Sequence, residues 1–419
     1  MQLWRVMVLL GVIFFLPDFA FAEGGMYSHF PENHTDSLSS SDSLSRRFIH
    51  RFGIEARPDY VLPTSLYMRE EGEAWAPVRI SSSVHLKYSF QSQPNTYIDR
   101  IYRSAYQGAG LAYYTFGNRE QLGNPVALYL FQGARLNSFT PWLSLNYEWN
   151  FGLSSGWKPY DHDVNPYNKI IGSKVNAYIN ANFYLRWMLS RQFDLTSGIT
   201  FTHFSNGNTG IPNAGLNTAG LNVGLVYNFN RKDNLHPKPL YQPVIPKFPR
   251  HVSYDLVLFG SWRRKEIHFE SGPEISPETY RVMGVSFAPM YNFSYKFRAG
   301  VSVDGVYDGS ANIYMDDYYL AGTAPRFYKP SLDKQLALGL SGRAEYVMPY
   351  FTINLGLGVN ILHGGGDLKA LYQVLALKTE ITRNTFVHVG YSLHNFHSPN
   401  FLMLGIGFRF NNQYPTFLR

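Results

Sequence analysis

His203 and Ser205 are separated by a single residue, and Asn217 follows twelve residues after Ser205. On a β-strand, residues i and i+2 lie on the same face, so this spacing predicts an imidazole beside a hydroxyl. That pair is what a serine nucleophile needs, because the imidazole acts as the general base that takes its proton. The alternative interpretation is a set of polar residues at the place where a strand end meets water.

The residues around this pair alternate between apolar and polar types. Residues 175–187 alternate in this way over their whole length, and so do residues 143–153. Such runs exceed the usual length of about five or six residues in globular strands. They match the roughly 9–11 residues that a tilted strand needs to cross a membrane. By the same parity, His203 and Ser205 continue the apolar face of their strand, and Asn217 shares the apolar face of the next one.

The composition narrows the class of protein. The chain has 419 residues, of which 16% are aromatic and 16% charged, and it contains no cysteine. A typical globular domain has about 25% charged residues. The lack of cysteine excludes thiol catalysis, thiolate zinc sites and disulfides. A mean hydropathy of −0.21 excludes a bundle of membrane helices, but it is compatible with a membrane protein made of alternating strands.

The N-terminus has the features of an export signal. Residues 1–22 combine a basic residue, a short apolar run and small residues before Glu23, which predicts a secretory signal peptide. Residues 23–47 predict a flexible leader. With the long alternating strands, this predicts an all-β protein, an antiparallel transmembrane β-barrel in the outer membrane of a Gram-negative-type bacterium. A secreted β-sandwich is the alternative.

The pattern predicts about sixteen strands in two sets of eight. Residues 48–231 contain the first set and residues 250–419 the second, whose role the sequence does not indicate. The Pro-rich segment 232–249 separates them and predicts a periplasmic connection. A single barrel is slightly favoured over two tandem eight-stranded units. Because bacterial barrels have short periplasmic turns and long outer loops, the short turn at 189–192 places His203 and Ser205 at the outer end.

The segment that begins at His203 resembles the motif of the PagL-type lipid A 3-O-deacylases, also described as acyloxyacyl hydrolases. That motif is His-x-Ser-Asn and then a Gly- and Asn-rich loop with Pro-Asn, as found here from His203 to Asn213. The resemblance covers roughly residues 48–230. It implies an eight-stranded barrel that removes an ester-linked acyl chain from lipid A. It further implies that His203 is the general base, that Ser205 is the nucleophile, and that Asn206 and Asn213 are oxyanion or loop-shaping groups.

One residue departs from that motif. The family has a Glu that orients the His twelve residues after the Ser, and this chain has Asn217 there. An Asn can hold an imidazole tautomer but brings no charge to stabilise the imidazolium, and in a serine protease the acid-to-Asn change costs about 10⁴-fold in kcat. Asn217 is therefore the expected third member, with Asp161 or Asp163 of the preceding outer loop as alternative acids.

The sequence also indicates the partners of the protein. It contains no zinc motif and no nucleotide fingerprint, so neither a metal nor a cofactor is expected. The net charge of +7 suits contact with the anionic phosphates of lipopolysaccharide, and the predicted export argues against nucleic acid. The expected partners are lipid A within lipopolysaccharide and the outer-membrane lipids. The alternative function is a channel, or a fatty-acid- or lipid-binding barrel, with a decayed hydrolase motif.

Overall fold

The computed structural model describes seven ranges of the chain. They are residues 48–63, 78–94, 96–231, 244–269, 272–315, 326–394 and 398–414. The predicted signal peptide, the leader and residues 232–243 of the Pro-rich connection lie outside these ranges. Within them, no helix is both long enough and apolar enough to cross a membrane.

Eight strands form the first barrel, and the last of them closes on the first. They are β1 (Phe48–Leu62), β2 (Ile80–Ser92), β3 (Tyr106–Thr115), β4 (Gly123–Thr140), β5 (Leu143–Trp157), β6 (Val175–Met188), β7 (Phe193–Ser205) and β8 (Leu216–Phe229). Each strand is antiparallel to its neighbours, and β8 pairs with β1 along most of its length. A short helix, α1 (Tyr97–Tyr102), connects β2 to β3.

Eight further strands form a second closed barrel. They are β9 (His251–Phe269), β10 (Gly272–Asn292), β11 (Phe297–Asp308), β14 (Leu336–Val347), β15 (Phe351–His363), β16 (Leu371–Glu380), β17 (Thr385–His394) and β18 (Ser398–Phe410). The connection between β11 and β14 carries the small sheet of β12 (Tyr314–Met315) and β13 (Phe327–Tyr328), then a 3₁₀ turn at Leu332–Gln335. Strand β18 pairs with β9 and closes the ring.

This topology confirms the antiparallel barrel class and the number of barrel strands, but the preference for one large barrel is wrong. The cause lies in strand pairing: β1 uses one edge for β2 and the other for β8. Neither edge of β1 is left to pair with a strand of the second set. Alternation along a strand reports which face each side chain occupies, and it carries no information about which strands become neighbours.

Side chains fill the interior of both barrels, as expected for eight strands, whose barrel is only wide enough for side chains. In the first barrel, Glu55 accepts a hydrogen bond from Arg57 at 2.5 Å, and Lys87 forms an ion pair with Glu148. In the second, Asp255 accepts hydrogen bonds from Arg409 at 2.7 Å and 2.9 Å and from Lys378 at 2.8 Å. Buried charges that have opposite partners avoid the large cost of an isolated buried charge.

The two barrels contact each other through their outer faces. Outward side chains of β6 are half-buried, whereas those of β1 are exposed. Several contacts join the barrels: Tyr102 donates a hydrogen bond to the carbonyl of Tyr295 at 3.1 Å, the rings of Trp149 and Phe351 lie 5.0 Å apart, and the amide of Arg264 donates to the carbonyl of Asn208 at 3.2 Å. We call this contact the seam.

Candidate active site

Strands β7 and β8 bring the predicted residues together. His203 lies directly opposite Asn217 in the register of this pair. Thr202 and Phe204 point into the barrel and are fully buried there, so His203 and Ser205 point to the outside of the barrel. The three side chains therefore lie on one outer patch, at the end of the first barrel that carries the loops 158–174 and 206–215. We call this the long-loop end.

The three side chains form a continuous line of hydrogen bonds. Nδ1 of His203 lies 2.6 Å from Oδ1 of Asn217, and Nε2 of His203 lies 2.9 Å from Oγ of Ser205. A carboxamide oxygen only accepts hydrogen bonds, so the imidazole carries its proton on Nδ1. Nε2 then has a free lone pair and accepts the hydroxyl proton of Ser205. This tautomer is the one that a general base requires.

The loop between β7 and β8 is shaped by its own asparagines. The backbone amide of Asn206 donates to Oδ1 of Asn213 at 3.0 Å, and the amide of Gly210 donates to Oδ1 of Asn206 at 3.4 Å. Gly215 has a φ of +72°, and a Cβ at that position would lie 3.1 Å from Cε1 of His203. Glycine therefore lets the returning backbone pass close to the imidazole.

Asn206 and Asn213 differ in whether all polar groups of their carboxamides already have hydrogen-bond partners. Both polar groups of the Asn213 carboxamide are used, because its Nδ2 also donates to Oδ1 of Asn208 at 3.1 Å. Nδ2 of Asn206 is buried and has no hydrogen-bond partner among the described residues. A buried donor without a partner costs about 1–3 kcal/mol, so it is a group that a ligand atom would satisfy.

The loop 158–174 supplies no acid to the site. Oδ1 of Asp161 accepts the backbone amides of Asp163 and Val164, both at 3.0 Å, and these bonds hold the pKa of Asp161 below its usual value. The side chain of Asp163 is 88% exposed. Since Nδ1 of His203 is already bonded to Asn217, the structure favours Asn217 over the alternative that either aspartate replaces the missing Glu. Both carboxylates serve a solvated turn instead.

The site is more enclosed than its position on an outer face suggests. Ser205 and Asn217 are each only 9% exposed. Part of this cover comes from the second barrel, where the side chain of Tyr391 packs against Gly207 and lies close to Ser205. No local pattern in the sequence indicates that two residues so far apart in the chain meet across the seam.

Comparison with known proteins gives two family matches. Residues 65–226 match the model described as lipid A 3-O-deacylase (PagL), and residues 252–412 match the model described as acyloxyacyl hydrolase, C-terminal domain. No curated protein matches the chain.

Several solved structures are similar at low identity. The outer membrane enzyme PagL is 14% identical, with 41% of this chain and 97% of that chain covered and a TM-score of 0.26. The siderophore receptor PirA from Pseudomonas aeruginosa is 9% identical, with 86% and 80% covered and a TM-score of 0.20. A mutant porin from Rh. blastica is 8% identical, with 86% and 99% covered and a TM-score of 0.16. The two family matches fall in the two barrels, so the first barrel is similar to the lipid A 3-O-deacylase (PagL) family and the second is similar to the acyloxyacyl hydrolase C-terminal domain.

Proposed function

We propose that this chain is an exported outer-membrane enzyme that hydrolyses an ester-linked acyl chain of lipid A in lipopolysaccharide. Ser205 is the nucleophile, His203 is the general base, and Asn217 orients His203. The observation that carries the proposal is the unbroken hydrogen-bond line from Asn217 through His203 to Ser205, at 2.6 Å and 2.9 Å. The family match over residues 65–226 supports the choice of lipid A as substrate.

The proposed reaction has two steps. Oγ of Ser205 attacks the ester carbonyl carbon while its proton moves to Nε2 of His203. The tetrahedral intermediate then collapses, and His203 returns this proton to the departing sugar oxygen. In the second step a water molecule, with His203 again as base, releases the fatty acid and restores Ser205. Throughout, Oδ1 of Asn217 accepts the hydrogen bond from Nδ1 of His203 and keeps the imidazole in one orientation.

The surroundings of the site suit a substrate that stays in the bilayer. Below His203 and Asn217, the outer face of β7 and β8 continues with Ile199, Leu221 and Val223, all of which are exposed. An outward apolar surface next to an outward nucleophile lets the acyl chain remain among lipid tails while the ester reaches Ser205. The sugar and its phosphates then lie at the polar, long-loop end.

Asn206 is the proposed donor to the oxyanion, since its Nδ2 is buried without a partner. Asn206→Asp replaces that donor with an acceptor, so we expect kcat to fall about 10²- to 10³-fold with little change in KM. Asn213→Asp is the comparison variant, because it keeps the oxygen that accepts the Asn206 amide, and its loss should be clearly smaller. Steady-state hydrolysis by the detergent-solubilised proteins measures both. Equal losses would contradict the assignment of Nδ2 of Asn206.

The function itself is tested by the mass of lipid A. Cells that express the protein are expected to contain lipid A lacking one acyl chain, and cells that express Ser205→Ala are expected to contain the unmodified form. Identical acylation in the two cultures contradicts the hydrolase proposal. Ion conductance in planar bilayers would then favour a channel, although the paired charges inside both barrels give that alternative little support.

A further inference from the structure

We propose that the second barrel supplies a catalytic group to the active site of the first, namely the hydroxyl of Tyr391. It donates a hydrogen bond to Oγ of Ser205 in the resting enzyme and to the oxyanion during catalysis. The proposal rests on the proposed function, because it assigns a further donor to the same ester hydrolysis. It also gives the second barrel a direct part in the reaction.

The position of Tyr391 on β17 directs it to the first barrel. The neighbouring side chain of Ser392 is buried in the interior of the second barrel, so Tyr391 points outward. Outward residues of β17 such as Val389 are half-buried, as expected where the seam covers them. The hydroxyl oxygen of Tyr391 lies against Gly207, two residues after Ser205, which brings the phenol close to Ser205.

The direction of this hydrogen bond follows from the other contacts of Ser205. Its hydroxyl proton is donated to Nε2 of His203, at 2.9 Å. Ser205 therefore has only lone pairs left for a second partner, so the phenol of Tyr391 is the donor in the proposed hydrogen bond. In the resting enzyme, the hydroxyl of Ser205 thus donates a hydrogen bond to His203 of the first barrel and, by this proposal, accepts one from Tyr391 of the second barrel.

Two further features hold the tyrosine in place. Gly207 has a φ of +63°, and a Cβ there would lie 2.7 Å from both Cε1 and the hydroxyl oxygen of Tyr391. Glycine at this position therefore leaves room for the ring to pack against the loop. One residue further along, the carbonyl of Asn208 accepts the amide of Arg264, at 3.2 Å, so a backbone bond joins the same loop to the second barrel.

In the proposed reaction, the phenol of Tyr391 lies next to the ester carbonyl oxygen, on which negative charge develops. When Oγ bonds to the ester carbon, its proton goes to His203, and the carbonyl electron pair moves onto the carbonyl oxygen. That oxygen is two bonds from Oγ, so a donor already in contact with Oγ is within reach of it. The phenol keeps its proton throughout and only donates a hydrogen bond. With Nδ2 of Asn206 it would form a two-donor oxyanion site.

Tyr391→Phe tests this role, since it keeps the ring against Gly207 and removes only the hydroxyl. We expect kcat to fall about 10²-fold with little change in KM, because the lost interaction is made in the transition state. The rate at which a fluorophosphonate labels Ser205 should fall as well, because its phosphoryl oxygen takes the position of the oxyanion.

Tyr147→Phe is the matched control. The hydroxyl of Tyr147 also crosses the seam, to the sulfur of Met348 at 3.9 Å. By strand register it lies six residues from Ser205 along the strands, or roughly 20 Å. We expect this variant to turn over at the wild-type rate. Heat-dependent migration in electrophoresis should be the same for both variants and the wild type, which shows that the barrels are folded.

Each outcome separates the two proposals. If the wild type is active, Ser205→Ala is inactive and Tyr391→Phe has the wild-type kcat, the role of Tyr391 is wrong and the hydrolase function stands. A loss in Tyr391→Phe that Tyr147→Phe shares, or that appears only in KM, also overturns the role, because it indicates a seam contact alone. If wild type and Ser205→Ala are equally inactive, the proposed function fails, and the inference about Tyr391 fails with it.

Discussion

Replacing His203 by Ala is expected to lower the rate of lipid A deacylation at least about 10²-fold, and replacing Ser205 by Ala is expected to do the same, because a complete triad contributes about 10⁶-fold and the Asn in place of the acid already accounts for about 10⁴ of it. The reason is the single hydrogen-bond line that connects the two side chains at 2.9 Å. Without the imidazole, no group accepts the hydroxyl proton during attack, and without the hydroxyl the imidazole has nothing to activate. The double variant should therefore be no slower than either single variant.

The measurement is single-turnover hydrolysis by the three variants and the wild type. His162→Ala is the matched control, because His162 lies on the loop 158–174 at the same end of the barrel and its side chain is 89% exposed. It should react at the wild-type rate. If the losses of the two single variants instead add in the double variant, His203 and Ser205 act independently, and the proposed general-base role is wrong.

Asn217→Glu is expected to raise kcat by up to about 10⁴-fold, the amount that the reverse change costs in a serine protease. In the present chain, Oδ1 of Asn217 already holds Nδ1 of His203 at 2.6 Å, so the orientation of the imidazole is provided. A carboxylate adds the negative charge that stabilises the imidazolium formed during attack. Asn217→Asp, which has the same length as Asn, should keep the geometry and give an increase in the same direction.

The pH–rate profile gives this prediction a second readout. A carboxylate beside the imidazole favours its protonated form, and the base must be neutral to act. The acid limb of the profile should therefore move to higher pH in both variants. The double variant Ser205→Ala/Asn217→Glu should remain inactive, which excludes a new reaction at the added carboxylate. An unchanged or lower kcat in both single variants would mean that another group provides the stabilising charge.

The strands that carry the site were predictable because their faces have opposite chemistry. Strand β7 begins at Phe193 and ends at Ser205, and its polar inner residues, such as Thr200, are fully buried. The same parity predicted that His203, Ser205 and Asn217 share the outer patch. The alternation exists because one face meets lipid and the other meets a packed, polar interior. It is therefore visible in the sequence of each strand by itself.

What the sequence could not indicate depends on contacts between distant strands. Closure of β1 on β8 decides between one barrel and two. It depends on backbone pairing, and residue types do not indicate which strands pair. The contact of Tyr391 with Ser205 depends on which outer faces form the seam. Similarly, Asp161 was a plausible acid by loop position, but local backbone amides already bind its carboxylate.

The seam covers one part of the outer surface of the first barrel and leaves another part exposed. Most outer residues of β6 are half-buried, and Phe183 among them packs in one cluster with Tyr295 of the second barrel, whereas those of β8 and β1, such as Leu221 and Ile54, are exposed. A substrate confined to one leaflet reaches an enzyme by lateral diffusion within that plane, so lipid A has an open approach to Ser205 from the side of β8 and β1. A neighbouring protein on this side would slow turnover, and one on the far side of the second barrel would leave it unchanged.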